Sequence, residues 1–199
     1  MKKVIITPSV SFSKSKSINF TIEKNWYDYG RKLGFQIEIL DYFNYKSQIK
    51  SSDAIIFSGG NGNDLQKFRK INKNKYREQN EKKVLNFVNN LKIPKLFVCY
   101  GFQLLASTLN SKLKKSNKHV KTIHELNYRN KKIFVNSFHT VIIKSLPQVY
   151  EQIIFKNDNS IEMALNIKKK IMCLMFHPER YNPSQKIIDD LIIKFFDLK

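Results

Sequence analysis

The sequence predicts an α/β fold, an open and mainly parallel sheet with helices on both faces. Three observations lead there. Strand-like and helix-like segments alternate through the first half of the chain. The second half is a series of short apolar strands closed by one amphipathic helix. The residues able to do chemistry follow directly after apolar strands, where open parallel sheets bind their ligands.

Each element has its own signal. Lys3–Thr7 is a β-branched run and reads as a strand; a polar loop rich in Ser and Lys is expected over Ser9–Ser17. Ile22, Trp26, Tyr29 and Leu33 recur at helical spacing, and Gly34 should stop that helix. Phe35–Leu40 alternates as a strand does. Asp53–Phe57 reads as a buried strand that runs into Ser58-Gly59-Gly60-Asn61-Gly62. Arg77–Asn90 carries Val84, Leu85 and Val88 on one helical stripe, Lys95–Val98 is a short apolar strand, and Gly101–Leu109 reads as a helix. Lys132–Val135, Val141–Lys144, Ile153–Lys156, Ile161–Ile167 and Ile171–Phe176 are strand-like. The last helix, Gln185–Phe196, follows Pro183.

At 199 residues the chain can bury a core without disulfide or metal staples, and one domain over 1–199 is expected. No apolar window reaches the 18 or so residues of a spanning helix, and the N-terminal apolar run is broken by Pro8, so neither a membrane span nor a signal peptide is expected. Cys99 and Cys173 lie in apolar runs without metal-ligand spacing, which fits a reduced, cytoplasmic protein. The net charge of +20 admits an anionic partner. It comes from 31 Lys against 5 Arg, however, whereas nucleic-acid readers favour the planar Arg fork. Compositional drift is the simpler reading, and no specific nucleic acid is expected. The runs Lys67–Lys75 and Lys112–Lys121 read as solvated faces or loops.

Two segments carry chemistry. In the first, the strand Leu96–Val98 runs into Cys99-Tyr100-Gly101-Phe102-Gln103 and a helix. A cysteine on such a turn stands above the sheet, near a helix N-terminus that favours a thiolate, with the next N–H able to serve an oxyanion. A small buried core cysteine is the alternative. In the second, His177 ends an apolar strand and Glu179 follows across Pro178. A catalytic histidine needs such a carboxylate to fix its tautomer; a capping histidine beside a surface glutamate is the alternative.

Taken together, the two segments resemble the class I glutamine amidotransferase family. Cys99-Tyr100-Gly101-Phe102-Gln103 matches the core of its nucleophile motif, with Phe97 where a leading Gly is usual, and His177-Pro178-Glu179 matches its His-Pro-Glu. Ser58-Gly59-Gly60-Asn61-Gly62 resembles the loop that supplies the second oxyanion N–H. Within the family, Asn136-Ser137-Phe138-His139 is similar to the Asn-Ser-x-His segment of the γ-glutamyl hydrolase branch. Arg77-Glu78-Gln79-Asn80-Glu81 is similar to that branch's Arg-Asp-x-x-Glu helix start; an i,i+4 surface pair is the alternative. His119, His124 and the stretch Asn159–Glu162 resemble a smaller, capsule-related subgroup.

The resemblance implies a flavodoxin-like class I glutamine amidotransferase fold and an amidohydrolase acting on a γ-glutamyl amide. Cys99 would be the nucleophile, His177 the acid–base and Glu179 its orienting partner. Backbone N–H groups at Gly60 and Tyr100 would form the oxyanion hole. Gly59, Asn61, Gln103, Asn136, Ser137, Phe138 and His139 would bind substrate. The expected partner is a small γ-glutamyl compound, anionic if the lysines at 112, 114, 115, 118 and 121 reach the site mouth. The alternatives are a glutaminase subunit feeding ammonia to a separate synthetase, and a basic binding protein with a dead site. No cofactor is implied. No metal is expected either, because His119, His124, His139 and His177 match no compact ligand spacing and no carboxylate cluster accompanies them.

Overall fold

The computed structural model describes residues 1–13, 17–60 and 75–198. Its centre is a seven-stranded sheet. Five strands are parallel: β1 (Lys2–Ile6), β4 (Phe35–Ile39), β5 (Ala54–Phe57), β6 (Lys95–Val98) and β13 (Ile171–Leu174). Two antiparallel strands, β12 (Ser160–Asn166) and β11 (Glu151–Phe155), extend one edge, giving the order β11-β12-β13-β6-β5-β1-β4. The inner strands β5, β6 and β13 are buried at every position, as expected for a sheet covered on both faces.

Helices α1 (Lys24–Leu33), α2 (Tyr45–Lys50), α3 (Lys75–Val88), α4 (Tyr100–Thr108) and α5 (Gln185–Phe196) surround the sheet. Among the described residues two large apolar clusters result. One joins Trp26, Leu33 and Phe35 to Ile188 and Phe196; the other joins Ile5, Phe57, Val84 and Phe97 to Phe102. Gly34 ends α1 in the left-handed conformation, φ 83°, as its sequence position implies.

Three features depart from the expected elements. The polar stretch from Ser9 contains β2 (Ser9–Phe12), which pairs with β3 (Ile18–Thr21) as a hairpin; Val10 points inward. The short helix α2 has Ile49 as its one buried residue, too little for a helical stripe. The segment after α4 forms β7 (Leu113–Lys115), paired with β10 (Val141–Ile143), and a long ribbon of β8 (Val120–Tyr128) with β9 (Lys131–Phe138). The basic run is therefore partly strand.

Four of the parallel strands end on a common rim, followed by Thr7, Ser58, Cys99 and, three residues past the end of β13, His177. A cleft at the opposite, amino ends of the strands, bordered by Lys2, Asp53, Pro94, Lys170 and Lys194, has neither cysteine nor histidine in its lining.

Candidate active site

Cys99 sits on a strained turn. Its φ of 48° and ψ of −101° lie where few non-glycine residues go. Two bonds hold it there. Its N–H donates to Leu174 O at 2.7 Å, closing β6 against β13, and its carbonyl accepts from Gln103 N at 3.0 Å, opening α4. Gly101 is required by space: a Cβ there would lie 2.3 Å from the Phe57 carbonyl oxygen. Phe97, the departure from the usual leading Gly, stacks on Phe57 with ring centroids 4.5 Å apart, so the large side chain is absorbed by β5.

His177 faces Cys99 from the neighbouring strand end. Its Nδ1 lies 2.7 Å from Glu179 Oε1. Burial alone would lower its pKa; the Glu179 carboxylate and a hydrogen bond with the Cys99 sulfur outweigh that and raise it to about 10. Cys173 behaves differently. It is wholly enclosed in β13, and burial holds its thiol well above the ordinary range.

The Gly-rich turn is tied down by Arg77, a buried residue. Its Nη1 donates to the Gly59 and Gly60 carbonyls at 3.3 and 3.1 Å, its Nη2 to Ser58 O at 3.0 Å, and its Nε to Glu81 Oε1 at 2.8 Å. The guanidinium lies 4.2 Å over the Tyr100 ring. Arg77 and Glu81 are both 0% exposed, so the surface-pair alternative is overturned. In a trans peptide the N–H points opposite to the preceding carbonyl. With the Gly59 carbonyl turned to Arg77, the Gly60 N–H points away from it. Gly59 itself touches the histidine: a Cβ there would come 2.5 Å from His177 Cε1. Gly60 takes φ 79°, which suits glycine. Asn61 lies outside the described residues.

The Asn136–His139 segment divides its duties. Asn136 accepts from His177 N at 2.9 Å and donates to the His177 carbonyl at 2.9 Å, so its side chain braces the histidine. Asn182, which the sequence reading missed, joins it, donating to the same carbonyl at 3.0 Å. Ser137 Oγ turns inward to His119 O at 2.7 Å. Phe138 is exposed, edge-on to His177 with centroids 6.1 Å apart. His139 turns away into a buried group with His119, His124 and Glu162. This corrects the reading of these histidines: the fold supplies their carboxylate from β12, and His177 is not among them. Gln103 is buried and donates to Val141 O at 3.2 Å.

A groove beside β7 is lined by Lys114, Lys115, Lys118, Lys144 and Asp158. Arg180 is a cation whose charge acts on Cys99. It is paired with Glu23 at 3.1 Å through Nε and stacked 5.0 Å over Phe138.

Residues 17–195 match the model of the family "Glutamine amidotransferase class-I". The chain belongs to this family. Among curated relatives of this class I glutamine amidotransferase, a γ-glutamyl-CDP-amidate hydrolase of Campylobacter jejuni is 34% identical over 143 residues, 72% of this chain and 68% of that protein. A glutamine-hydrolysing GMP synthase of Borrelia garinii is 28% identical over 182 residues, 85% of this chain. The chain spans only 31% of that synthase's length. Two solved structures share the fold. One, from Thermoplasma acidophilum and described as a candidate GMP synthase component, has a TM-score of 0.71 at 15% identity, covering 99% of this chain and 94% of that one. The other, a glutamine amidotransferase from Thermotoga maritima, has a TM-score of 0.61 at 14% identity, covering 98% and 82%. Among the described residues no helix is long and apolar enough to cross a membrane.

Proposed function

We propose that the chain is a cysteine-dependent amidohydrolase that cleaves a γ-glutamyl amide and releases glutamate. The observation that carries this is the convergence of Cys99, His177 and Glu179 from two adjacent strand ends, with Cys99 and Glu179 both acting on the His177 imidazole. The Cys99 thiolate attacks the γ-carbonyl carbon, and the oxyanion that forms is stabilised by the Gly60 and Tyr100 N–H groups. The Tyr100 N–H belongs to the first turn of α4, where helix geometry directs donors out of the helix end. His177, as imidazolium, gives its proton to the leaving nitrogen as the C–N bond breaks. The resulting γ-glutamyl thioester is attacked by water. His177 takes the water's proton, the C–S bond breaks, and glutamate leaves. Glu179 holds the imidazole tautomer throughout.

The substrate reading follows the Campylobacter relative: a γ-glutamyl conjugate with a phosphorylated leaving group, in the chemistry of capsule construction. Arg180 and the exposed ring of Phe138 stand beside His177 and support an anionic or planar leaving group. The GMP synthase relatives favour a second reading, a glutaminase that hands ammonia to a separate synthetase. A panel of γ-glutamyl compounds separates the two, with glutamate release as readout. A γ-glutamyl nucleoside-diphosphate amidate should be turned over with a much higher kcat/KM than glutamine. Glutamine as the better substrate, with activity gained on adding a synthetase, would establish the second reading.

A further inference from the structure

Outside the triad, three histidines and one glutamate point their donor atoms at one another inside the protein. His119 precedes β8, His124 lies on β8, His139 follows β9, and Glu162 lies on β12. All four residues are at most 3% exposed, and their donor atoms lie within 4.8 Å of one another. Glu162 is the hub. Its Oε1 is 3.4 Å from His119 Nδ1, and its Oε2 is 3.3 Å from His124 Nδ1 and 3.4 Å from His139 Nε2. Donor atoms on a tetrahedral zinc are about 3.3 Å apart, given Zn–N and Zn–O distances near 2.0–2.1 Å.

For His139 and His119 the outer partner can only accept, which fixes the proton on the far nitrogen; for His124 the outer partner is a hydroxyl that can accept such a proton. His139 Nδ1 lies 3.1 Å from Val141 O, a carbonyl that can only accept. His119 Nε2 lies 2.8 Å from the Asp158 carboxylate. His124 Nε2 lies 3.2 Å from Thr122 Oγ1. Metal-bound histidines are oriented by such outer partners, a carboxylate and a backbone carbonyl among them. With those protons placed outward, three nitrogen lone pairs and a carboxylate face inward. His119 Nδ1 and His124 Nδ1 are buried without a hydrogen-bond partner. A bare arrangement of that kind is costly, and a shared cation removes the cost. Phe155 stacks flat on His124 at 4.0 Å and edge-on to His119 at 5.7 Å, closing the group from one side.

We propose that His119, His124, His139 and Glu162 bind one divalent cation of the zinc class with four protein ligands. A four-ligand, water-excluded site is structural in character. It clips the β8–β9 ribbon to β12. The ribbon carries the Asn136–Phe138 segment, and His119 O accepts from both Ser137 Oγ and His139 N. The cation therefore acts on His177 only at a distance, through Asn136, as a positioning element.

The test is metal analysis of untagged protein with zinc supplied during expression. About one zinc per chain should survive dialysis, in wild type and in Cys99→Ala alike. Cobalt(II) in its place should give the visible absorption of a tetrahedral site. Glu162→Gln should weaken zinc binding, measured by chelator competition, by more than the ~10–100-fold typical of losing an outer-sphere partner. If that variant fails to fold, Asp158→Asn, which removes only an outer partner of His119, should weaken binding ~10–100-fold. Folded wild type that takes up no zinc at micromolar free metal would overturn the proposal and leave a shared proton as the cation. Binding lost in Cys99→Ala but kept in Glu162→Gln would overturn it too, by placing the metal on the Cys99–His177 pair.

Discussion

Cys99 and Cys173 differ by position on the sheet. Cys173 points into packed core along a strand, while Cys99 occupies a turn whose backbone strain the Leu174 and Gln103 bonds maintain. Cys99→Ser should abolish turnover with the fold intact, whereas Cys173→Ser should keep most activity; steady-state kinetics beside a thermal melt checks both. His177 carries a pH signature. The folded state raises its pKa to about 10, against about 6.5 in an unfolded chain. Its contribution to stability is thus complete below about pH 6.5 and is lost as pH rises toward about 10. Glu179→Gln removes the carboxylate that holds the proton. The stability gap between wild type and this variant should be widest near pH 6 and narrow toward pH 10 in denaturant titrations; a gap that widens with pH would contradict the assignment. Cys99, His177 and Glu179 were legible as candidates because each follows an apolar strand in an identifiable motif. The tasks of Asn136 and His139 were not. Which way a side chain turns on β9 depends on pairing with β8, and the alternation of β8 shows only in the buried His124, Leu126 and Tyr128 among exposed neighbours.

The Gly-rich turn and α3 act as one unit, because Arg77 on the helix holds three successive carbonyls of the turn. From the sequence, Arg77 and Glu81 have ordinary i,i+4 spacing, and only the fold reveals that the pair is buried against the turn that follows β5. Breaking a buried pair by removing one partner costs about 3–5 kcal/mol. Arg77→Met should destabilise by that order and lower kcat about 10²–10³-fold, the loss typical of one oxyanion donor. Arg77→Met with Glu81→Met should recover stability in denaturant unfolding but not kcat. Recovery of both would show that Arg77 serves the fold alone. Gly59→Ala offers a separate check. Its Cβ would collide with His177, so kcat should fall well beyond any change in unfolding midpoint. The β2–β3 hairpin escaped the sequence reading for a simpler reason: serines and lysines mask its short alternation, and Val10 is its one buried apolar residue.

Across the whole molecule, the alternation of strand and helix gave the sheet and its rim, and the rim gathers Thr7, Ser58, Cys99 and His177 at the carboxyl ends of four neighbouring strands. The charge of +20 acts at this scale as well. If the leaving group is anionic, kcat/KM for a phosphorylated conjugate should fall as salt rises from low to physiological and above, while that for glutamine changes little. A preference independent of salt would make the basic surface incidental to substrate choice. The central claim is that a γ-glutamyl thioester forms on Cys99. The most direct measurement is rapid acid quench during turnover of a γ-glutamyl conjugate, followed by peptide mass analysis. A transient glutamyl adduct should appear on the Cys99 peptide and be absent in Cys99→Ser. Steady turnover with no adduct on Cys99, and with activity retained in Cys99→Ser, would contradict it.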